Sequence, residues 1–214
     1  ENYAFHYPII GRVLAKIHYY IIKRSKYIIS MSNSMSDQIL NITGRNSVII
    51  GNFVDEIYLS KLRTNNKNNI DRTKFVFIGS LSRRKNITFL IDKFNELAKK
   101  HINISLDIVG DGPLYKKVIN IISAYNIGHI VTVHGFKKNP YDILINSDIF
   151  VLPSFSEGIS RAALEAMFFN KPCVMFNVDA NSELIRDGVN GFLSNSEYDF
   201  LECLEKSINL SKNK

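Results

Sequence analysis

The sequence predicts an α/β protein organised on a doubly wound parallel sheet. Three observations carry that reading. From residue 75 onward, short apolar, β-branched runs alternate with segments of helical length, the order that builds a parallel sheet covered on both faces. Runs such as Ile149-Phe150-Val151-Leu152 and Cys173-Val174-Met175-Phe176 are apolar throughout, as strands buried on both sides are. Glycines, small polar residues and cations follow the strands directly, at the carboxyl ends where sheets of this kind bind ligands.

Taken in order, residues 8–24 predict a helix with Ile9, Val13, Ile17, Tyr20 and Ile21 at helical spacing and Arg12, Lys16, Lys23 and Arg24 elsewhere. The stripe reads first as a face buried within its own domain, and second as a basic amphipathic surface for anionic lipid. A short strand over 27–30 precedes a helix capped by Ser34, with Asp37 at the capping-box position. Another strand, 48–50, leads into Gly51-Asn52-Phe53-Val54-Asp55. Residues 64–73 are polar and Asn-rich and read as a solvated loop.

The regular part follows. Strand 75–78 precedes a helix to about residue 100, and strand 105–109 a helix from Pro113 that Asp111 or Gly112 would cap. Strand 130–134 precedes a short helix over 141–145, and strand 149–152 a loop and an apolar helix reaching about residue 169. Strand 173–176, a short helix over 182–186, and a last helix over about 197–210 complete the chain.

Composition narrows the class. With 45% hydrophobic and 22% charged residues the chain is an ordinary globular one, and no apolar run approaches the roughly 20 residues that cross a bilayer. A start at Glu1 rather than Met reads as a piece of a longer protein. Cys173 and Cys203 lack metal-type spacing and read as reduced thiols of a cytoplasmic protein. The net charge of +7 favours anionic partners. Its dispersal, with no basic stripe interleaved with aromatics, argues against nucleic acid.

Four loops carry candidate chemistry. Gly79-Ser80-Leu81-Ser82-Arg83-Arg84-Lys85-Asn86 brings three cations together after a strand, which alone reads as a solvated basic loop. Gly110-Asp111-Gly112-Pro113 reads as a strand-to-helix turn, and it is no dinucleotide fingerprint because G-x-G-x-x-G is absent. Val133-His134-Gly135-Phe136 ends another strand, and His134 alone reads as a satisfied strand-end histidine. The fourth loop, Val178-Asp179-Ala180-Asn181-Ser182-Glu183 and then Asp187-Gly188-Val189-Asn190-Gly191, ends the series, and Gly188 and Gly191 read as turn glycines.

Apart from these loops, Ser156-Glu157-Gly158-Ile159-Ser160 runs into Arg161-Ala162-Ala163-Leu164-Glu165-Ala166-Met167. A small-residue loop entering a helix N-terminus presents free backbone N–H groups to an anion. Glu165 stands among apolar neighbours on a helix that should be largely buried, where an unpaired charge is costly. Arg161, four residues earlier, offers an ion pair worth a few tenths of a kcal/mol at most, roughly. From these residues alone, structural and ligand-binding roles for Glu165 stand even.

Glu157 and Glu165, eight positions apart, resemble the paired glutamates of retaining GT-B glycosyltransferases of family 4, and the resemblance spans about residues 25–193. It implies the Rossmann-like half of a GT-B fold. Residues 1–52 would be the incomplete tail of the N-terminal acceptor domain, and residues 53–214 the nucleotide-sugar-binding domain. It implies transfer of a sugar, with retention, from a nucleoside-diphosphate sugar to a saccharide or lipid-linked acceptor in surface polysaccharide or glycan biosynthesis.

By that resemblance Glu157 is the catalytic-site carboxylate that binds donor-sugar hydroxyls, and Glu165 holds the ribose diol. The amides of Gly158, Ile159 and Ser160 face the diphosphate and sugar, and Lys85 neutralises the diphosphate. Ser80 stands where the family often carries arginine, which leaves Arg83 or Arg84 to supply that contact. Gly79, Gly110 and Gly112 border the nucleotide, and Gly135 and Phe136 the base. No metal and no cofactor are implied. Partners are the donor, the acceptor and peripheral anionic membrane at the cytoplasmic face. An epimerase or a non-catalytic nucleotide-binding module on the same scaffold are the alternatives.

Overall fold

The computed structural model describes residues 8–62 and 72–212, so the side chain of Ile9 and residues 64–71 of the expected polar loop lie outside the description. The chain forms two compact units, residues 1–52 and 53–214. The first unit contains α1 (Pro8–Arg24), β1 (Ile29–Ser30), α2 (Asn33–Thr43) and β2 (Val48–Ile49), with β1 and β2 paired in parallel.

In the second, α3 (Glu56–Leu62) precedes β3 (Thr73–Ile78), α4 (Ile87–Lys100), β4 (Ile104–Val109), α5 (Tyr115–Ala124), β5 (Val131–Gly135) and α6 (Tyr141–Ile145). There follow β6 (Ile149–Leu152), α7 (Arg161–Phe168), β7 (Cys173–Phe176), α8 (Asn181–Leu184), β8 (Gly191–Ser194) and α9 (Phe200–Lys212).

Six strands form one parallel sheet in the order β5-β4-β3-β6-β7-β8, as the sequence predicts for an α/β doubly wound fold. The chain builds outward from β3 in one direction and from β6 in the other, so the strand order reverses between these two. Ligands in such sheets bind at that reversal, outside the strands' carboxyl ends. Pairing across it joins only Phe75 to Ile149 and Val76 to Phe150. The ladder between the two strands therefore ends short of Ile78 and Leu152, where the candidate loops begin.

Apolar spacing explains the covering helices. On α4, Ile87, Leu90, Ile91, Phe94 and Leu97 lie on one stripe and are all buried, with the Phe94 ring edge-on to Phe75 at 5.6 Å. On α9, Phe200, Cys203, Leu204, Ser207 and Ile208 do the same, and Phe200 packs against Phe89 and Phe176. Each such aliphatic or aromatic side chain contributes about 1.5–3 kcal/mol by leaving water.

Several expectations are corrected. The cap of α2 is Ser32 rather than Ser34: its extended backbone lets Oγ accept from the Met35 N–H at 3.1 Å. Neither Asp111 nor Gly112 caps α5, which starts at Tyr115 after Leu114; Asp111 Oδ1 instead accepts from the Gly112 N–H. Helix α3 was not expected. Asp55 Oδ1 accepts from the Tyr58 N–H at 2.9 Å, and Leu59 is buried beneath the helix. Gly191 begins a sixth strand rather than a turn, and a Cβ there would stand 2.0 Å from the Cys173 carbonyl oxygen. The apolar stripe of α1 is not buried: Val13, Ile17, Tyr20 and Ile21 are each more than half exposed, although the Arg24 guanidinium lies over the Tyr20 ring, 3.9 Å from its centroid.

Candidate active site

Backbone bonds first tie together the ends of β3, β4 and β5. The Gly79 N–H donates to the Val109 carbonyl, the Leu81 N–H to Asp111, the Leu114 N–H to Leu81, and the Gly110 N–H to Gly135, all at 2.8–3.0 Å. Gly110 has φ 145, and a Cβ there would meet the Gly79 carbonyl oxygen at 1.9 Å. A Cβ on Gly112 would meet the Leu81 backbone at 2.7 Å. Close approach of two loops accounts for both glycines. At the end of β5, Gly135 has φ 69 and Phe136 is 76% exposed. His134 Nε2 pairs with Asp107 Oδ1 at 2.6 Å, so this histidine is satisfied across the sheet as expected.

Where the strand order reverses, the loops after β3 and β6 are joined by a backbone bond from the Phe155 N–H to the Arg84 carbonyl, 2.9 Å. Arg84 then reaches over the β6 loop, its Nη1 donating to the Ser156 carbonyl at 2.7 Å and lying 3.3 Å from Glu157 Oε1. Lys85 Nζ donates to the same carboxylate oxygen. Burial lowers the Lys85 pKa, against the opposing pull of Glu157, and neighbouring Arg84 lowers it further. Arg83 is exposed.

Glu157 is buried, and its own N–H donates to Asp179 Oδ2 at 2.7 Å. Asp179 holds a left-handed backbone, φ 47, in the loop after β7. Asn86, at the end of the cation loop, has φ 53. Asn and Asp tolerate this region better than other side chains, and Asn126 and Asn170 adopt it just past helix ends as well. Among the described residues the buried polar side-chain atoms without a partner are Asn86 Nδ2, Ser154 Oγ and Asn181 Oδ1, all beyond the carboxyl ends of β3, β6 and β7.

Gly158 and Ile159, half-buried, lead to Ser160, whose Oγ caps α7 by accepting from the Ala163 N–H at 3.3 Å. Glu165 lies on the buried face of α7. Arg161 Nη2 is 3.5 Å from its Oε1 but is 68% exposed. A nearer donor, Tyr141 on α6, gives its hydroxyl to the same oxygen at 3.1 Å. Burial, and then Glu165, raise the Tyr141 pKa.

The structure thus brings Arg84, Lys85 and Glu157 into one cluster and places Gly158, Ile159, Ser160 and Glu165 along the next turn and helix. Tyr141 is the residue that the sequence did not single out, since its partner stands 24 positions away; Asp179 lies in a loop that it did, but its partner, 22 positions away, is not legible there. Among the described residues no group of three His, Cys, Asp or Glu side chains is disposed to hold a metal. Two cations beside a capped helix N-terminus make a site for a polyanion; two buried carboxylates make sites for hydroxyl groups.

The sequence pattern of the family described as Glycosyl transferases group 1 matches residues 60–213. The chain belongs to that family. Group 1 relatives include a glycosyltransferase of Methanocaldococcus jannaschii, MJ1178, 29% identical over 194 residues that cover 89% of this chain and 52% of the relative. The capsular polysaccharide biosynthesis glycosyltransferase CapH of Staphylococcus aureus is 29% identical over 198 residues, 86% of this chain and 53% of that one. An Escherichia coli UDP-Gal:alpha-D-GlcNAc-diphosphoundecaprenol alpha-1,3-galactosyltransferase is 35% identical over 133 residues, 58% of this chain and 33% of that one.

Among solved structures, TarM superposes with a TM-score of 0.80 at 25% identity, covering 92% of this chain and 39% of that chain. The group 1 sheet described above is accordingly the Rossmann-like sheet of a GT-B glycosyltransferase. The chain spans about half the length of MJ1178 and CapH, and less of the galactosyltransferase. Among the described residues no helix is long and apolar enough to cross a membrane.

Proposed function

We propose that this chain carries the donor half of a retaining family 4 glycosyltransferase that moves a sugar from a nucleoside-diphosphate sugar to a saccharide or lipid-linked acceptor. The observation that carries the reading is the convergence of Arg84, Lys85 and buried Glu157 where the strand order reverses. In the reaction the bond from the anomeric carbon to the phosphate oxygen breaks, a bond to the acceptor oxygen forms, and the acceptor hydroxyl proton is released. Negative charge grows on the leaving diphosphate, and Lys85, Arg84 and the N-terminus of α7 stand ready to stabilise it.

Arg84, rather than Arg83, fills the role of the arginine replaced by Ser80, since Arg84 is the one drawn to Glu157. Glu157 takes donor-sugar hydroxyls and Glu165 the ribose diol, while Gly79, Gly135 and Phe136 line the nucleotide's path. The donor is a substrate, and the reading calls on no cofactor. Residues 1–52 are assigned to the tail of the acceptor domain. The named roles of CapH and of the E. coli galactosyltransferase support a place in surface polysaccharide or glycan biosynthesis.

Calorimetry with UDP and with uridine tests the site. Lys85→Ala should weaken UDP by about 1.5–3 kcal/mol, the value of a charge-assisted hydrogen bond, and leave uridine nearly unchanged. Equal losses for the two ligands would remove the diphosphate role. The anomeric configuration of product formed by the whole enzyme, read by NMR, decides retention.

A further inference from the structure

The two buried glutamates share a feature. Each is held through Oε1 alone: Glu157 by Arg84 and Lys85, Glu165 by Tyr141 and Arg161. No described residue donates to either Oε2. For Glu165 the two holders are unequal. Arg161 is exposed and lies at 3.5 Å, in the weaker cation-before-anion order on its helix. Tyr141 reaches from α6 at 3.1 Å and is itself fixed on several sides. Asn139 Oδ1 accepts from the Tyr141 N–H at 3.0 Å, the Tyr58 ring meets the Tyr141 ring edge-on at 5.9 Å, and Phe169 lies against it at 6.3 Å. A carboxylate on a flexible two-carbon stem, set among alanines, has little else to fix its rotation.

We infer that Tyr141 is a positioning residue: its hydroxyl anchors Oε1 of Glu165 and turns Oε2 toward the vicinal diol of a nucleotide's ribose. This rests on the reading of Glu165 as the ribose-binding carboxylate. A carboxylate that offers one anchored oxygen and one free oxygen gives the ligand a preset acceptor, so less rotamer freedom is lost on binding. The tyrosine's raised pKa keeps its hydroxyl protonated, and therefore donating, across the neutral range.

Tyr141→Phe removes the hydroxyl and keeps the ring contacts with Tyr58 and Phe169. It should weaken UDP and uridine alike, by about 2- to 13-fold, the range expected for one intramolecular hydrogen bond. The melting temperature should fall by a few degrees, since buried Glu165 loses a donor, and the loss of affinity for both ligands is the readout that packing alone would not move. Glu165→Gln should also weaken both ligands, and combining the two substitutions should add little beyond Glu165→Gln alone, because the hydroxyl acts through that carboxylate. A fully additive double mutant, or a Tyr141→Phe protein with lowered stability and unchanged affinity, would assign Tyr141 to packing and overturn the inference. If Glu165→Gln weakens both ligands while Tyr141→Phe weakens neither, the inference fails and the ribose reading stands. If Glu165→Gln leaves uridine binding intact, or the wild-type chain binds no UDP, the site reading falls and the inference with it.

Discussion

Replacing Glu157 with glutamine probes the site through its stability before any chemistry is measured. The Lys85 and Glu157 side chains expose only 12% and 7% of their surface, so neither charge is well hydrated. Removing one member of such a pair leaves the other uncompensated, which costs about 3–5 kcal/mol. Arg84 is 42% exposed and adds little to that figure. Lys85 limits the loss by releasing its proton, which burial already favours, so the cost should fall near the low end, about 3 kcal/mol. For a chain of this length each kcal/mol moves the melting temperature by about 2–4 °C, and the variant should melt about 6–12 °C lower.

Bound UDP restores a negative charge beside Lys85. At one hundred times its Kd the ligand adds about 2.7 kcal/mol to the wild type. At the same UDP concentration the increment for Glu157→Gln should be larger, because Lys85 no longer divides its hydrogen bonds between Glu157 and the diphosphate. Scanning calorimetry with and without UDP reads both effects. An unchanged melting temperature, or a UDP increment below the wild type's, would refute the idea that one lysine charge is held by Glu157 in the free chain and by the ligand in the complex.

Two further outcomes follow from the same geometry. UDP affinity should be full while Lys85 is charged and fall as pH rises through its depressed pKa, before the ordinary lysine value of 10.5; the fall should vanish in Lys85→Ala. The folding term has the opposite sign: between the two values the unfolded chain binds the extra proton, so the Lys85 contribution to stability rises with pH. Gly110→Ala must move the Gly79 carbonyl as well as hold alanine at φ 145, and should cost about 3–5 kcal/mol in a urea melt. Gly188→Ala, at φ 72 with no neighbour within 4 Å, should cost only about 1–2 kcal/mol. Equal losses would mean that loop approach does not explain Gly110.

What the sequence by itself determined is what neighbouring residues dictate. The apolar strands, the stripes of α4 and α9, the placing of candidate loops at strand carboxyl ends and the Glu157–Glu165 spacing are all short-range patterns. Each follows from backbone period and turn chemistry within about a dozen residues. Local signals also misled: the sequence pointed to Ser34 as the cap of α2, and the extended backbone of Ser32 places the cap there instead. Gly191 looked like a turn because its need for a missing Cβ comes from Cys173, on another strand.

Tertiary structure alone decided the strand order that sets β3 beside β6, and with it the meeting of Lys85 with Glu157, 72 positions apart. It chose Arg84 over Arg83, gave Glu157 the Asp179 acceptor, and gave Glu165 a tyrosine beside the arginine that its own helix offered. It also left Val13, Ile17 and Ile21 of α1 more than half exposed, although the spacing of that stripe is the same whether or not anything packs on it. Periodicity states which face of an element is apolar. Which distant groups arrive there depends on how the sheet is wound, and no window of sequence contains that.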